Sequence, residues 1–398
     1  MHRRSFLVFF AMAACDATPK VYGPTFDGGA DASDAALDAP EESAPVDAAG
    51  DVAIDAPSCA STVAILGGNA TTLFGAAGPG GSALTAASLP GTVFDCGSGC
   101  ADPIAIARFG TGLLAVLATS PAGTLESTAM TTSWADPAPV ASAATRDGPS
   151  LASIGGTAHL VYQAADYKYY HAEYTGSSWD AATDPVGGSA TQSFGARAPA
   201  AAAAASDLVV VQAGSDSYLY DQTWNGAWQA AEKQGGAAVQ NSLPPTIVAL
   251  DGGSSDLLAA YLRLTDYKVM TVARTAGTWG TPMLVDANAY SNDPVALGAL
   301  PGGKAIVVFR GSDGKPYFST WDGATTWTAP AAVVTSGNPT IASVPSIAPG
   351  VCGADALIAF AESGGGVAIA PFSGGTFGAP QPVAGTSGAK FVAIGTLP

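Results

Sequence analysis

An aromatic residue that closes a small-residue turn returns seven times along this chain, at Phe94, Trp134, Trp179, Trp228, Trp279, Trp327 and Phe377. The intervals of 40, 45, 49, 51, 48 and 50 residues average about 47. A fixed period of that size marks a repeat architecture, in which one supersecondary unit stacks on the next. Other features keep the same beat. Apolar strands precede the landmarks at 158–163, 207–212, 256–262, 304–309 and 355–360. Turns holding Asp166, Asp216, Asp266 or Asp313 follow them, and a second strand comes next, as at 167–174 and 218–224. Ahead of each group lies a small-residue strand, often opened by proline, as at Pro149, Pro199, Pro245, Pro294 and Pro345.

Each unit therefore carries about four short strands bounded by Gly, Asp and Pro turn residues. Seven such units predict an all-β fold, a seven-bladed β-propeller of four-stranded blades spanning 59–398. The small-residue strand suits the crowded inner position beside a central channel. The last segment, 390–398, reads as one more inner strand that completes the first blade and latches the ring. A helical solenoid is excluded, because the apolar period is two and the chain carries 49 Gly and 28 Pro.

The N-terminal region has a different character. Arg3 and Arg4 precede an unbroken apolar run from Phe6 to Ala14. That run is too short to span a bilayer, which takes about 20 apolar residues, but it has the length of a signal-peptide core. Met12-Ala13-Ala14-Cys15 resembles a bacterial lipobox, with Met12 where Leu is usual, and residues 1–14 are expected to be a lipoprotein signal peptide. The resemblance implies that Cys15 is the lipidation site, against the alternative of an ordinary cleaved signal with an incidental cysteine. Either way the protein is exported, and lipidation implies anchoring in the cell envelope of a bacterium. Residues 15–58 form an Asp/Ala/Pro-rich stretch whose ten acidic residues face a single Lys20. Such a composition buries too little apolar surface to offset its ordering entropy and predicts a disordered tether. Its spaced acids Asp27, Asp31, Asp34 and Asp38 lack the glycine turn and ligand spacing of a calcium loop.

Charge narrows the function classes. The chain has 15 Lys+Arg against 32 Asp+Glu, a net charge of −17. Nucleic-acid binding needs clustered cations to neutralise phosphates and is excluded as an expectation. Docking on anionic lipid through a basic patch is disfavoured for the same reason, so membrane contact is expected through the N-terminal lipid alone. Four cysteines follow Cys15. An even count in an exported protein predicts disulfides. Four cysteines allow three pairings; Cys96 and Cys100, around Gly97-Ser98-Gly99, suit a tight local loop, and the remaining pair, Cys59 with Cys352, would link the domain's start to a segment near its end. A structural zinc site lacks a second close cysteine pair and a nearby histidine, and no cofactor is expected.

The unit from Phe309 to Gly323 contains Arg310-Gly311-Ser312-Asp313, then a strand ending at Trp321, then Asp322-Gly323. It resembles the repeat of the seven-bladed bacterial propeller lectins of the fucose-binding group, and looser matches lie at 155–179 and 205–228. The resemblance implies a propeller that binds carbohydrate at several sites between blades. A second similarity, to sialidase-type propellers, fails at its motif: Asp322-Gly323-Ala324-Thr325-Thr326-Trp327 holds the pieces of the aspartate box in the wrong register.

Candidate site residues follow the repeat. Tyr174, Trp224, Trp321 and Phe372 occupy one position, and Tyr170, Tyr220 and Tyr317 lie four residues earlier in three units. Positions four apart on a strand share a face, and sugar rings dock their C–H faces on such aromatic surfaces. Tyr170, Tyr174, Tyr220, Trp224, Tyr317 and Trp321 are thus candidate sugar contacts, against the alternative of packing between blades. Asp313 and Arg310 are candidate hydroxyl partners, against a turn-forming Asp and an Asp-paired Arg. The landmark tryptophans recur in nearly every unit and read as structural. His159 and His171 fall on neighbouring strands, but no nucleophile motif such as Gly-x-Ser-x-Gly accompanies them, and no pair of carboxylates stands out for glycoside hydrolysis. No catalytic residue is therefore assigned. The expected function is non-catalytic carbohydrate binding. The alternatives are a surface scaffold for a protein partner and, further off, a sialidase-like glycosidase.

Overall fold

The computed structural model describes residues 60–95, 102–182, 197–240, 242–250, 255–334 and 339–398. These residues form seven antiparallel sheets and contain no α-helix. The sheets are the blades of a β-propeller. Blade 2 shows the plan, with strands Ile104–Phe109, Gly112–Thr119, Thr124–Met130 and Ala138–Ala144 running in order from inner to outer. Blades 4 and 6 repeat it, from Ala200–Ala204 to Glu232–Ala238 and from Ala296–Leu300 to Ala331–Ala332. In blades 5 and 7 two short strands share the outer edge of the third strand. Blade 3 has three strands, Pro149–Ile154, Thr157–Gln163 and Tyr169–Tyr174, and the outer place begins with a bridge from Trp179 to Tyr174.

Blade 1 is built from both ends of the domain. Its second, third and outer strands are Thr62–Asn69, Thr72–Pro79 and Ala87–Leu89, and its inner strand is Phe391–Leu397. The register runs from Thr62 opposite Leu397 to Gly68 opposite Phe391. The expected latch is thus present, and the seven inner strands follow one another around the ring.

The core is divided among the blade interfaces. Seven apolar clusters lie one between each pair of neighbouring blades. A blade is covered on both faces, so its second strand has no solvent side and reads as a continuous apolar run rather than an alternating one. Gly112–Thr119, Leu257–Leu262 and Ala356–Ala361 are buried at every position. The inner strands converge, which explains their small residues. A Cβ on Gly395 would lie 2.8 Å from the side chains of Ile106 and Leu113 in blade 2, and one on Gly298 would collide with Ile347 in blade 7. The inner strands surround a cavity of about 550 Å³ lined by residues such as Ala152, Ala202, Ala249 and Ala348. The five repeat prolines crowd the opposite mouth of the channel together with Asp102.

Candidate functional sites in the clefts between blades

One position on the third strand decides what each blade offers its neighbour. The residues there are Ser127, His171, Asp221, Thr271 and Phe318 in blades 2 to 6. Each meets the landmark aromatic of the next blade. Trp179 donates its indole N–H to the Ser127 hydroxyl at 2.9 Å, and Trp327 donates to the Thr271 hydroxyl at 3.1 Å. Trp228 stands edge-on to His171 with ring centres 5.2 Å apart, and Phe377 meets Phe318 edge-on at 5.0 Å. Trp279 lies beside Asp221, whose carboxyl is pushed up by burial and partly restored by Trp279 and Gln234. Further round the ring, Trp134 of blade 2 donates to the Ile65 carbonyl of blade 1 at 2.7 Å. The landmark aromatics therefore fasten blade to blade, as their recurrence implied.

Between blades 2 and 3 this contact forms the wall of an open cleft of about 400 Å³. Tyr174 and Trp179 supply the aromatic surface, with ring centres 5.2 Å apart, and Phe109 backs Tyr174 at 5.3 Å. Ser127, Asp136, Ser177 and Ser178 supply hydroxyls and a carboxylate around them. The strand order explains the grouping. Tyr174 ends the third strand of blade 3, and a glycine turn at Gly176 brings Trp179 back opposite it. An apolar wall with a few polar groups at a volume of this class is the usual make-up of a small-ligand site.

The equivalent position between blades 3 and 4 is chemically different. Trp224 tilts over both His159 and His171, with ring centres 4.9 and 5.4 Å away. His159 Nδ1 lies 3.0 Å from His171 Nε2, and both residues are buried. Burial in the apolar layer pushes the His171 imidazole down to about 3, and it lowers His159 as well, partly offset by the Asp180 charge. The partly exposed Glu173 carboxyl, 3.9 Å from His159, is raised by burial and by Asp180.

The remaining residues singled out from the sequence are scattered. Tyr170, Tyr220 and Tyr317 each donate a hydroxyl hydrogen bond to the aspartate four residues earlier, at 2.8, 2.9 and 2.9 Å to Asp166, Asp216 and Asp313. The other oxygen of each aspartate accepts the N–H two residues on. Between them sits a residue of left-handed φ, at 68° in Tyr167, 63° in Ser217 and 78° in Gly314. These pairs are turn clamps, so Asp313 is the turn-forming aspartate that was the alternative to a sugar contact. In blade 5 the clamp is replaced by an ion pair from Arg263 to Asp266. Arg310 reaches Asp293 at 2.8 Å and is the Asp-paired arginine. Trp321, 4% exposed, stacks on Trp327 within the layer between blades 5 and 6 and presents no face to a ligand. Of the eight candidate contacts, Tyr174 lines the cleft between blades 2 and 3, and Trp224, half-buried, packs over the two histidines between blades 3 and 4.

Cys15, Cys59, Cys96 and Cys100 lie outside the described residues. Cys352 places its sulfur against Gly80, where a Cβ would collide with it, and Gly80 N–H donates to the Ser61 carbonyl at 2.7 Å.

Sequence reading missed Ser127, Asp136, Trp179 and the association of His159 with His171 and Glu173. The signal was available in the repeat itself. Once the blades are aligned on their turns, the third-strand position recurs at 127, 171, 221, 271 and 318, and four of its five residues are polar in an apolar frame.

Comparison with solved structures supports the architecture. The BP39L lectin from Burkholderia pseudomallei aligns over 81% of this chain and 95% of its own, with a TM-score of 0.63 and 15% identity. AofleA from Arthrobotrys oligospora aligns over 75% and 91%, with a TM-score of 0.51 and 14% identity. The SapL1 lectin, solved in complex with α-methyl fucoside, aligns over 73% and 99%, with a TM-score of 0.50 and 15% identity. At such identities the similarity is one of fold. No family model and no curated protein matches the sequence.

Proposed function

We propose that this propeller binds carbohydrate without catalysis, in clefts between its blades, and that the cleft between blades 2 and 3 is the principal site. The observation that carries the reading is the cleft's composition: the Tyr174 and Trp179 rings flank Ser127, Asp136 and two further serine hydroxyls in about 400 Å³. A pyranose has an apolar C–H face and a rim of hydroxyls. Tyr174 would take the face, and Asp136 with the serines would take the rim. The lectin character of BP39L and SapL1 supports this reading, and the fucoside bound by SapL1 makes α-methyl fucoside the first sugar to try. The same similarity supports a binding rather than a hydrolytic role.

In this reading Cys15 carries a lipid that holds the protein in the bacterial envelope, and the acidic segment to residue 58 sets the propeller away from the membrane. Cys352 would pair with Cys59, since its sulfur lies beside Gly80 and hence beside Ser61, two residues after Cys59. Single sites of this size bind monosaccharides weakly, and presentation on a membrane raises the effective affinity for clustered glycans.

The test is calorimetric titration of α-methyl fucoside and a panel of other monosaccharides into wild type and Tyr174→Ala. Loss of the ring is expected to weaken binding about 10-fold, the equivalent of ~1.4 kcal/mol for a stacked aromatic. Equal affinity in a folded Tyr174→Ala variant would remove this cleft from the account.

A further inference from the structure

Two of the chain's three histidines meet between blades 3 and 4, and no other blade carries histidine at the equivalent positions. The second-strand position of His159 is Leu114, Val209, Leu258, Ile306 and Leu357 in blades 2, 4, 5, 6 and 7, as the strand pairings fix it. In a repeat protein the recurring residues build the fold, so a histidine set into a second-strand position that is otherwise aliphatic, facing a second histidine, calls for another explanation. Among the described residues the apolar layer between blades 3 and 4 has five buried members, Ala152, Val161, Tyr169, Leu208 and Val210, beside the two imidazoles.

The local geometry gives the explanation. His159 and Glu173 are directly opposite on neighbouring strands, and His171 lies two residues before Glu173 on the same face. The nitrogens of the two imidazoles are 3.0 Å apart, His159 Nδ1 is 3.9 Å from Glu173 Oε1, and the three donor atoms all fall within 4.8 Å of one another. Ligand atoms around a tetrahedral zinc ion with bonds of 2.0–2.1 Å are about 3.3 Å apart, so a small rotation of the Glu173 side chain closes the set. That side chain is 28% exposed, whereas both histidines are buried and fixed by packing. Asp180 accepts the Glu173 backbone N–H at 2.6 Å and adds a second negative charge nearby.

We propose that His159, His171 and Glu173 form a site for a single divalent transition-metal ion, zinc foremost, with the fourth position taken by water on the exposed side of Glu173. Two imidazoles and one carboxylate suit zinc, cobalt, nickel or copper and do not suit calcium or magnesium, which take oxygen ligands. An imidazole ligates a metal through its neutral form, and burial favours that form in both histidines. The inference does not rest on sugar binding, because the site is separate from the cleft between blades 2 and 3.

The experiment uses the full chain without a histidine tag. Equilibrium dialysis against Zn²⁺ with metal analysis is run on wild type, on the H159L/H171T double variant and on Glu173→Gln. The double variant copies blade 5, which holds Leu258 and Thr271 at these places and packs against Trp327, so it is designed to fold. The expected result is one zinc more per wild-type chain than per double-variant chain. Zn²⁺ should raise the wild-type melting temperature and leave that of the double variant unchanged. Glu173→Gln should bind about 10-fold more weakly. Cobalt should give the visible absorption of a four-coordinate site and quench the fluorescence of Trp224. Equal zinc content in wild type and the double variant would overturn the proposal. Should the double variant not fold, unchanged zinc affinity in Glu173→Gln would overturn it instead.

Discussion

Trp134 of blade 2 sends its indole N–H across the interface to the carbonyl of Ile65 in blade 1, at 2.7 Å. The same relationship, a landmark indole reaching the neighbouring blade, recurs in Trp179 with Ser127 and Trp327 with Thr271. Each apolar layer is thin, so a single large aromatic that fills it and satisfies a buried polar group on the far side matters more than its area suggests. Blade 1 is also the composite blade, in which Thr62–Asn69 pairs with Phe391–Leu397 to close the ring.

Trp134, 7% exposed, is therefore expected to be among the most costly landmark residues to truncate. Replacing a buried aromatic by Ala costs about 3–5 kcal/mol through lost burial and the cavity left behind. Chemical denaturation of Trp134→Ala should show a loss in that range. A loss under about 1 kcal/mol would mean that the indole does not fasten the blades.

The Asp–Tyr clamps give a smaller, local prediction. Tyr317→Phe removes one hydrogen bond to Asp313 at a half-exposed site and should cost ~0.5–1 kcal/mol. Asp313→Ala should cost more, because the carboxylate also accepts the Lys315 N–H that shapes the turn. If the two variants were equally stable, the turn contact would carry nothing and the clamp would reduce to the tyrosine bond. Thermal melts of both variants decide the order.

Asp102 supplies a pH dependence. It stands half-buried at the channel mouth among the inner-strand prolines, and burial raises its carboxyl to about 8 despite the Ile104 N–H that it accepts at 3.0 Å. The folded chain then keeps a proton that the unfolded chain gives up near pH 4. Unfolding releases that proton, so this group's contribution to stability falls as pH rises from about 4 to about 8 and is level above. Asp102→Asn keeps an acceptor for Ile104 and loses the titration. Its melting temperature should decline less than that of wild type across this window. Parallel pH profiles for the two proteins would contradict the assignment.

The architecture was legible in the sequence because repetition amplifies weak signals. A single Gly-Thr-Trp turn says little, but seven aromatic landmarks at a common period define blades, and the inner-strand pattern repeated at 390–398 pointed to the latch. The clefts were harder to read. Trp224 and Trp321 are equivalent in sequence, yet Trp224 is half-buried over two imidazoles while Trp321 is enclosed between blades 5 and 6. What separates them is the partner on the preceding blade, a residue some fifty positions earlier that no local window contains. The aspartates illustrate the opposite case. A turn carboxylate satisfying its own backbone is a local event, and the composition of the turn already pointed to it.

The central claim is sugar binding in the clefts between blades. Its most direct measurement is a glycan-array screen of the purified chain, with every hit titrated calorimetrically against wild type and Tyr174→Ala. The expected result is saturable binding to one glycan class, with affinity that falls on loss of the Tyr174 ring. No binding across the array by a folded, correctly melting protein would contradict the account and turn the search to a protein partner on the ring.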